Sequence, residues 1–232
     1  MKEILVKMKR VYNNIVLTKH THELKYWKEC YNKEGHQLIN DHYAKLMLGI
    51  AGEINDDFLK DKIVGDFGCG PRGSLIWAKQ AKQRIGIDVL ANQYIACFPK
   101  EYLKHGMIYL TCTEQSIPVP DETFDVIYTV NALDHVADLP IMCDELRRIL
   151  KPGGFIIGSY NLNQPATKAE PQTITEDILN QLLFREYKII SYRVSAPGHP
   201  DVYKNAYGPL FENKLIDPKG GEAILWAKVQ KK

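Results

Sequence analysis

From Val64 the chain reads Val64-Gly65-Asp66-Phe67-Gly68-Cys69-Gly70-Pro71-Arg72-Gly73, placing Gly68, Gly70 and Gly73 at G-x-G-x-x-G spacing with Asp66 just ahead of them. Glycines so spaced permit a tight turn and the close approach of backbone to a ligand. Asp88 follows Gly68 by 20 residues and ends the next apolar run, Arg84 to Asp88. A carboxylate at the tip of the neighbouring strand is placed to accept hydrogen bonds from both ribose hydroxyls of an adenosine. Charge then separates two cofactor classes. A dinucleotide would bring an anionic pyrophosphate to the turn, where Asp66 repels it; S-adenosylmethionine has no phosphate and carries a sulfonium and an ammonium, which Asp66 attracts.

These residues need a frame that brings them to one edge. Short apolar runs bounded by turn residues predict seven strands, at Lys62 to Phe67, Arg84 to Asp88, Met107 to Thr111, Phe124 to Val130, Phe155 to Tyr160, Tyr187 to Val194 and Ala223 to Val229. Helices are expected between the first five, including Ser74 to Gln83, which Pro71 would open, and Asp138 to Leu150. Strand and helix in alternation build a doubly wound α/β fold whose ligand crevice lies beyond the carboxyl ends of the strands. Before Lys62 the apolar positions Leu24, Trp27 and Tyr31, then Tyr43, Leu46, Met47 and Ile50, recur at helical spacing. A polar, Gly- and Pro-containing connection of 28 residues, Ser195 to Glu222, separates the last two strands and is long enough to suggest a functional loop.

Four segments together carry a family resemblance: Asp66-Phe67-Gly68-Cys69-Gly70; Gly86-Ile87-Asp88; Ile117-Pro118-Val119-Pro120-Asp121-Glu122-Thr123-Phe124-Asp125-Val126; and Leu150-Lys151-Pro152-Gly153-Gly154. Over about Lys62 to Ile157 the chain resembles the class I S-adenosylmethionine-dependent methyltransferases, of the small-molecule type related to the quinone-biosynthesis enzymes. The resemblance implies a Rossmann-like sheet, mostly parallel with an antiparallel seventh strand, as one unit over residues 61–232 behind an N-terminal helical cap over residues 1–60. It further implies Asp66, Gly68, Cys69 and Gly70 beside the methionine moiety, Asp88 on the ribose, and the loop after the third strand on the adenine. That loop departs from the family pattern. Thr113-Glu114 stands where an acid and a small residue are common, so the adenine contact falls to the Thr113 hydroxyl or to Glu114.

Residues just after strands four and five should meet the acceptor. Asn131-Ala132-Leu133-Asp134-His135 follows strand four. His135 is the candidate general base, because an imidazole titrates near working pH, with a cofactor-lining role as the rival; Asn131 is assigned to the cofactor or, alternatively, to a helix cap. The stretch lacks the Asn/Asp-Pro-Pro-aromatic pattern of many amide and nucleobase nitrogen methyltransferases, which favours an oxygen acceptor. Tyr160 and Asn161 after strand five, and His199 and Tyr203 in the long loop, offer polar tips and stacking faces for a small-molecule, sugar or aromatic acceptor. The expected activity is methyl transfer from S-adenosylmethionine to such an acceptor. Two other readings stay open: a nucleic-acid methyltransferase using the basic N-terminal segment, and a non-catalytic cofactor-binding regulator, to which the altered Thr113-Glu114 pair points.

Composition narrows the partners. Lys and Arg number 30 against 28 Asp and Glu, a formal charge of +2, so nucleic acid is not favoured electrostatically even though seven of the basic residues precede Glu29. No run approaches a membrane span and the first residues lack the pattern of a secretory signal, so a cytoplasmic protein is expected. Five cysteines, none at C-x-x-C spacing, predict neither disulfides nor structural zinc, and no metal is assigned from the sequence.

Overall fold

The computed structural model describes residues 19–197 and 221–232. One seven-stranded sheet runs through it: β1 (Ile63–Phe67), β2 (Gln83–Asp88), β3 (Ile108–Thr111), β4 (Phe124–Val130), β5 (Leu150–Leu162), β6 (Tyr187–Ser195) and β7 (Ala223–Lys231), in the order β3-β2-β1-β4-β5-β7-β6. β1 to β5 pair in parallel, and β7 runs antiparallel to both β5 and β6. All seven predicted strands occur. β5 is longer than predicted, because Leu150 already pairs with Phe124 and the strand runs on through a register shift to Leu162.

Side chains alternate across the sheet and two layers of helix cover them. On one face Phe124, Ile127 and Ile156 pack with Leu139, Met142, Cys143 and Leu146 of α5 (Leu139–Ile149) and with Leu179 of α6 (Glu176–Leu182). Towards the other face point Val64, Val126, Tyr128, Ile157 and Trp226, which pack with Tyr43, Leu46, Met47 and Ile50 of α2 (His42–Ala51). Helix α1, described over 19–33, instead packs beside α3 (Ala91–Cys97), with Trp27 against Leu90, Tyr94 and Phe98. The Tyr43 and Trp27 stripes thus serve different surfaces. A further helix, α4 (Pro99–His105), follows α3, and among the described residues no helix is long and apolar enough to cross a membrane.

One expected helix is absent. Residues 71–77 are successive turns, closed by short-range bonds such as Ile76 N–H to Gly73 O at 3.1 Å and Ala78 N–H to Leu75 O at 3.1 Å, and the chain reaches β2 without an α-helix over Ser74 to Gln83. Gly73 adopts φ +70°, a left-handed conformation that interrupts helical propagation at its start, and a Cβ there would come within 2.7 Å of the His105 ring. Leu75 and Ala78 still bury, but against the layer that α2 supplies. The sheet face is therefore already covered.

Candidate active site

β1 ends in a turn tied to the tip of β2. Gly68 N–H donates to Ile87 O at 2.8 Å, and Gly70 N–H donates to Asp88 Oδ2 at 3.0 Å, while Leu90 N–H donates to Asp88 Oδ1 at 2.8 Å. Each Asp88 oxygen keeps a second lone pair for a ligand. Gly68 has φ +73°, and a Cβ on it would lie 2.3 Å from the Ala132 Cβ in the segment after β4. Gly68→Ala should therefore cost about 2 kcal/mol or more of stability, from the left-handed backbone plus a contact that must be relieved by moving the Asn131 segment. Chemical denaturation measures this, and a loss below about 0.5 kcal/mol would show that the turn relaxes freely.

Asp66 and Asp88 form the electrostatic centre of the crevice. Burial pushes the Asp66 carboxyl up to about 7; the Ser74 hydroxyl, which donates to it, opposes the shift, and the nearby Asp88 charge adds to it. Asp88 rises to about 6 through burial, resisted by its two backbone hydrogen bonds and raised further by Glu23. Glu23 comes from α1, where its carboxylate accepts from Trp27 Nε1 at 2.6 Å. The Trp27 ring stands 3.2 Å from the position a Cβ would take on Gly70, so α1 covers the glycine turn. Asn131, in the left-handed region at φ +51°, holds its N–H to Ser159 O at 3.0 Å, and its buried Oδ1 has no hydrogen-bond partner among the described residues.

Beyond β4, Asp134 and His135 lie on a 3-10 turn, Leu133–His135. The His135 Nε2 is 3.7 Å from Glu170 Oε1 and 4.0 Å from Asp134 Oδ1, and its Nδ1 is 4.0 Å from Glu23 Oε2. Burial raises Glu170, with His135 opposing and the charges of Asp134 and Glu23 adding. The crevice is thus lined by carboxylates.

Residues 65–158 match the family described as methyltransferase domain. That stretch, about two fifths of the chain, carries a methyltransferase domain. It is similar to a sterol 4-C-methyltransferase of Caenorhabditis elegans, 31% identical over 118 residues that make up 51% of this chain and 30% of that one. It is also similar to a ubiquinone biosynthesis O-methyltransferase of Nitrobacter winogradskyi, 32% identical over 96 residues, 40% of this chain and 36% of the relative. The chain thus spans about a third of the length of these curated relatives. Among solved structures, the 1,6-didemethyltoxoflavin-N1-methyltransferase of Burkholderia thailandensis, with S-adenosylhomocysteine bound, superposes with a TM-score of 0.60 at 13% identity, covering 96% of this chain and 89% of that one. At that identity the likeness is one of fold. The three names span carbon, oxygen and nitrogen acceptors.

Within the methyltransferase domain the predicted residues divide into those the fold brings together and those it does not. Asp66, Gly68, Gly70, Asp88 and Asn131 converge on the carboxyl ends of β1, β2 and β4. Cys69 is buried against Gly86, and burial pushes its thiol well above the usual range, so it packs rather than reacts. Thr113 is occupied locally: its Oγ1 accepts from Ser116 N–H at 2.9 Å and Gln115 N–H at 3.2 Å, closing a turn. Glu114 is claimed by α1 and the segment after β4, with Lys19 Nζ at 2.5 Å, His20 Nε2 at 2.9 Å and Ala137 N–H at 3.1 Å. Both side chains expected near adenine thus have partners of their own.

Tyr160 is a correction. It is 2% exposed and meets Phe184 edge-on, with ring centroids 5.7 Å apart, inside the core beneath α5 and α6. Because β5 continues to Leu162, Tyr160 lies within the strand and points to the opposite face from Asn161. Asn161 donates to Asp134 Oδ2 at 3.2 Å and so supports the crevice instead of opening onto it. His199 and Tyr203 lie outside the described residues. Glu23, Ser74, Lys19 and Glu170 escaped the sequence reading, since none belongs to a motif; the spacing of Glu23 and Trp27, one helical turn apart, was the one available signal.

Proposed function

We propose that this methyltransferase binds S-adenosylmethionine across the carboxyl ends of β1, β2 and β4 and methylates a hydroxyl of a small-molecule or glycan-like acceptor. One observation carries the donor half. The glycine turn faces two carboxylates, Asp66 and Asp88, and no helix starts behind it, so the site has negative charge and lacks the helix N-terminus that a pyrophosphate would use. The unpartnered Asn131 Oδ1 and the free lone pairs of the Asp88 oxygens fit an adenosyl ligand beside the turn.

Bound S-adenosylmethionine supplies an electrophilic methyl group on a sulfonium. The chain's task is to hold, align and exclude water. Asp88 is assigned to the ribose hydroxyls, Asp66 to the electrostatic balance of the methionine end, and Asn131 to a polar contact beside it. Helix α1, with Trp27 over the turn and Lys19 latched to Glu114, would close the crevice as the cap. His135 with Glu170 and Asp134 forms the acceptor end, the group that orients the hydroxyl and handles its proton. The absence of a Pro-Pro-aromatic run after Asn131 favours oxygen over nitrogen.

Calorimetric titration of the purified protein with S-adenosylmethionine, S-adenosylhomocysteine and NAD tests this. Both sulfur ligands should bind at one site per chain and NAD should give no signal. Affinity should also depend on pH. Asp66 and Asp88 stand at about 7 and about 6 without ligand, and a cationic ligand favours their ionised forms, so protons are released on binding. S-adenosylmethionine should consequently bind about tenfold more weakly at pH 6 than at pH 8. Silence from both sulfur ligands in a folded protein, or tight NAD binding, would overturn the assignment.

A further inference from the structure

We propose that Asp134, His135 and Glu170 form a site for a first-row divalent cation at the acceptor end of the crevice. Each offers one ligand atom, and the three atoms lie within 4.8 Å of one another. Asp134 and His135 come from the turn after β4, and Glu170 from the loop after β5. That loop is stitched to the turn: Gln172 N–H donates to Asp134 O at 3.2 Å and Gln172 Nε2 to Val136 O at 3.0 Å. The three side chains are therefore held by two segments bonded to each other.

The second observation is an orphaned oxygen. Asp134 is only 4% exposed; its Oδ2 accepts from Asn161, but its Oδ1 is buried without any hydrogen-bond partner and faces His135 Nε2 at 4.0 Å. A buried carboxylate oxygen left unpaired is costly, so something should complete it. An imidazolium could do so only by closing to the ~2.8 Å of a charge-assisted hydrogen bond, whereas Nε2 stands 3.7 and 4.0 Å from the two carboxylates. Ligand atoms around one ion with bonds of ~2.1 Å lie roughly 3 to 3.5 Å apart, so atoms now up to 4.8 Å apart must draw in by about 1 Å, a movement open to the partly exposed His135 and Glu170 side chains around the fixed Asp134. Asn161 then plays the outer part, fixing the carboxylate that binds the ion.

The donor set, one imidazole nitrogen and two carboxylate oxygens, suits Mn²⁺, Fe²⁺ or Zn²⁺ better than an all-oxygen ion such as Mg²⁺. His135 and Glu170 side chains are 31% and 35% exposed, which leaves coordination positions open on the solvent side. Resting on the methyl-transfer reading, those positions face the acceptor. They select acceptors whose hydroxyl oxygen can enter the coordination shell, where the ion makes it more acidic.

The test uses the full chain and two probes, Mn²⁺ and Zn²⁺, titrated calorimetrically with and without saturating S-adenosylhomocysteine, with Mn²⁺ also followed by loss of its free-ion electron paramagnetic resonance signal. One ion should bind per chain. Glu170→Gln and Asp134→Asn should each weaken it at least about tenfold, while Glu29→Gln on the exposed side of α1 leaves it unchanged. Circular dichroism checks the fold, and the half-exposed Glu170→Gln keeps the test valid should Asp134→Asn unfold. Failure of both ions to bind a protein that still binds S-adenosylhomocysteine would overturn the cation site alone. So would binding that survives both substitutions, or displacement by S-adenosylhomocysteine, which would mean that the cluster holds the cofactor's ammonium. Failure to bind S-adenosylhomocysteine would instead remove the methyl-transfer reading, and ion binding in that case would still support the site.

Discussion

Asp88→Asn is expected to weaken S-adenosylmethionine binding by about tenfold to 100-fold, the equivalent of ~1.5 to 3 kcal/mol for hydrogen bonds to a charged group. The carboxylate serves two masters in this fold. It accepts from Gly70 N–H and Leu90 N–H, which shapes the glycine turn, and its remaining lone pairs are offered to the ligand. The amide of Asn keeps one acceptor oxygen and turns an N–H₂ towards the other backbone donor, so both functions suffer. They can be separated. If Asp88 holds the ribose, an S-adenosylhomocysteine analogue lacking the 2′-hydroxyl should lose affinity for the wild-type protein but lose little more for Asp88→Asn, the coupling that a double-mutant cycle detects. Equal penalties in both proteins would leave Asp88 a shaper of the turn and remove it from the ribose.

Glu114→Gln should destabilise the fold by about 3 kcal/mol, because it strands the ammonium of Lys19 in a buried position. Lys19 also donates to His135 O at 2.7 Å, so the pair connects α1, the loop after β3 and the turn after β4 in one cluster. Burial acts to raise the Glu114 carboxyl, but the hydrogen bonds from His20, Lys19 and Ala137 N–H outweigh it and bring it down to about 2 from the usual 4.5. The sign follows: a depressed carboxyl stabilises the fold fully above about 4.5, and that contribution fades as pH falls towards about 2. Urea unfolding at pH 7 should therefore show the full deficit of the variant, and the gap to wild type should narrow steadily below pH 4.5. A variant within about 0.5 kcal/mol of wild type at pH 7 would mean that α1 is held by Trp27 and its neighbours alone.

Much of this molecule was legible in local pattern. The seven strands announce themselves because a strand buried on both faces reads as a short apolar run between turn residues, and Asp66, the three glycines and Asp88 sit within a 23-residue window that one β-turn-β unit positions. The antiparallel seventh strand was implied by the family resemblance and is present. Tertiary structure decided the rest, because its causes lie far away along the chain. No helix forms over Ser74 to Gln83, since Gly73 turns left-handed beside His105 and α2 already covers that face of the sheet. Tyr160 goes to the core because β5 runs two residues past it and alternation leaves it no other side. Glu114 is taken by Lys19, 95 residues away, and Asp134 and His135 gain Glu170 from the loop after the next strand. Periodicity reports which face a residue shares with its near neighbours; a buried charge chooses its partner only when the packed elements set the distance between them.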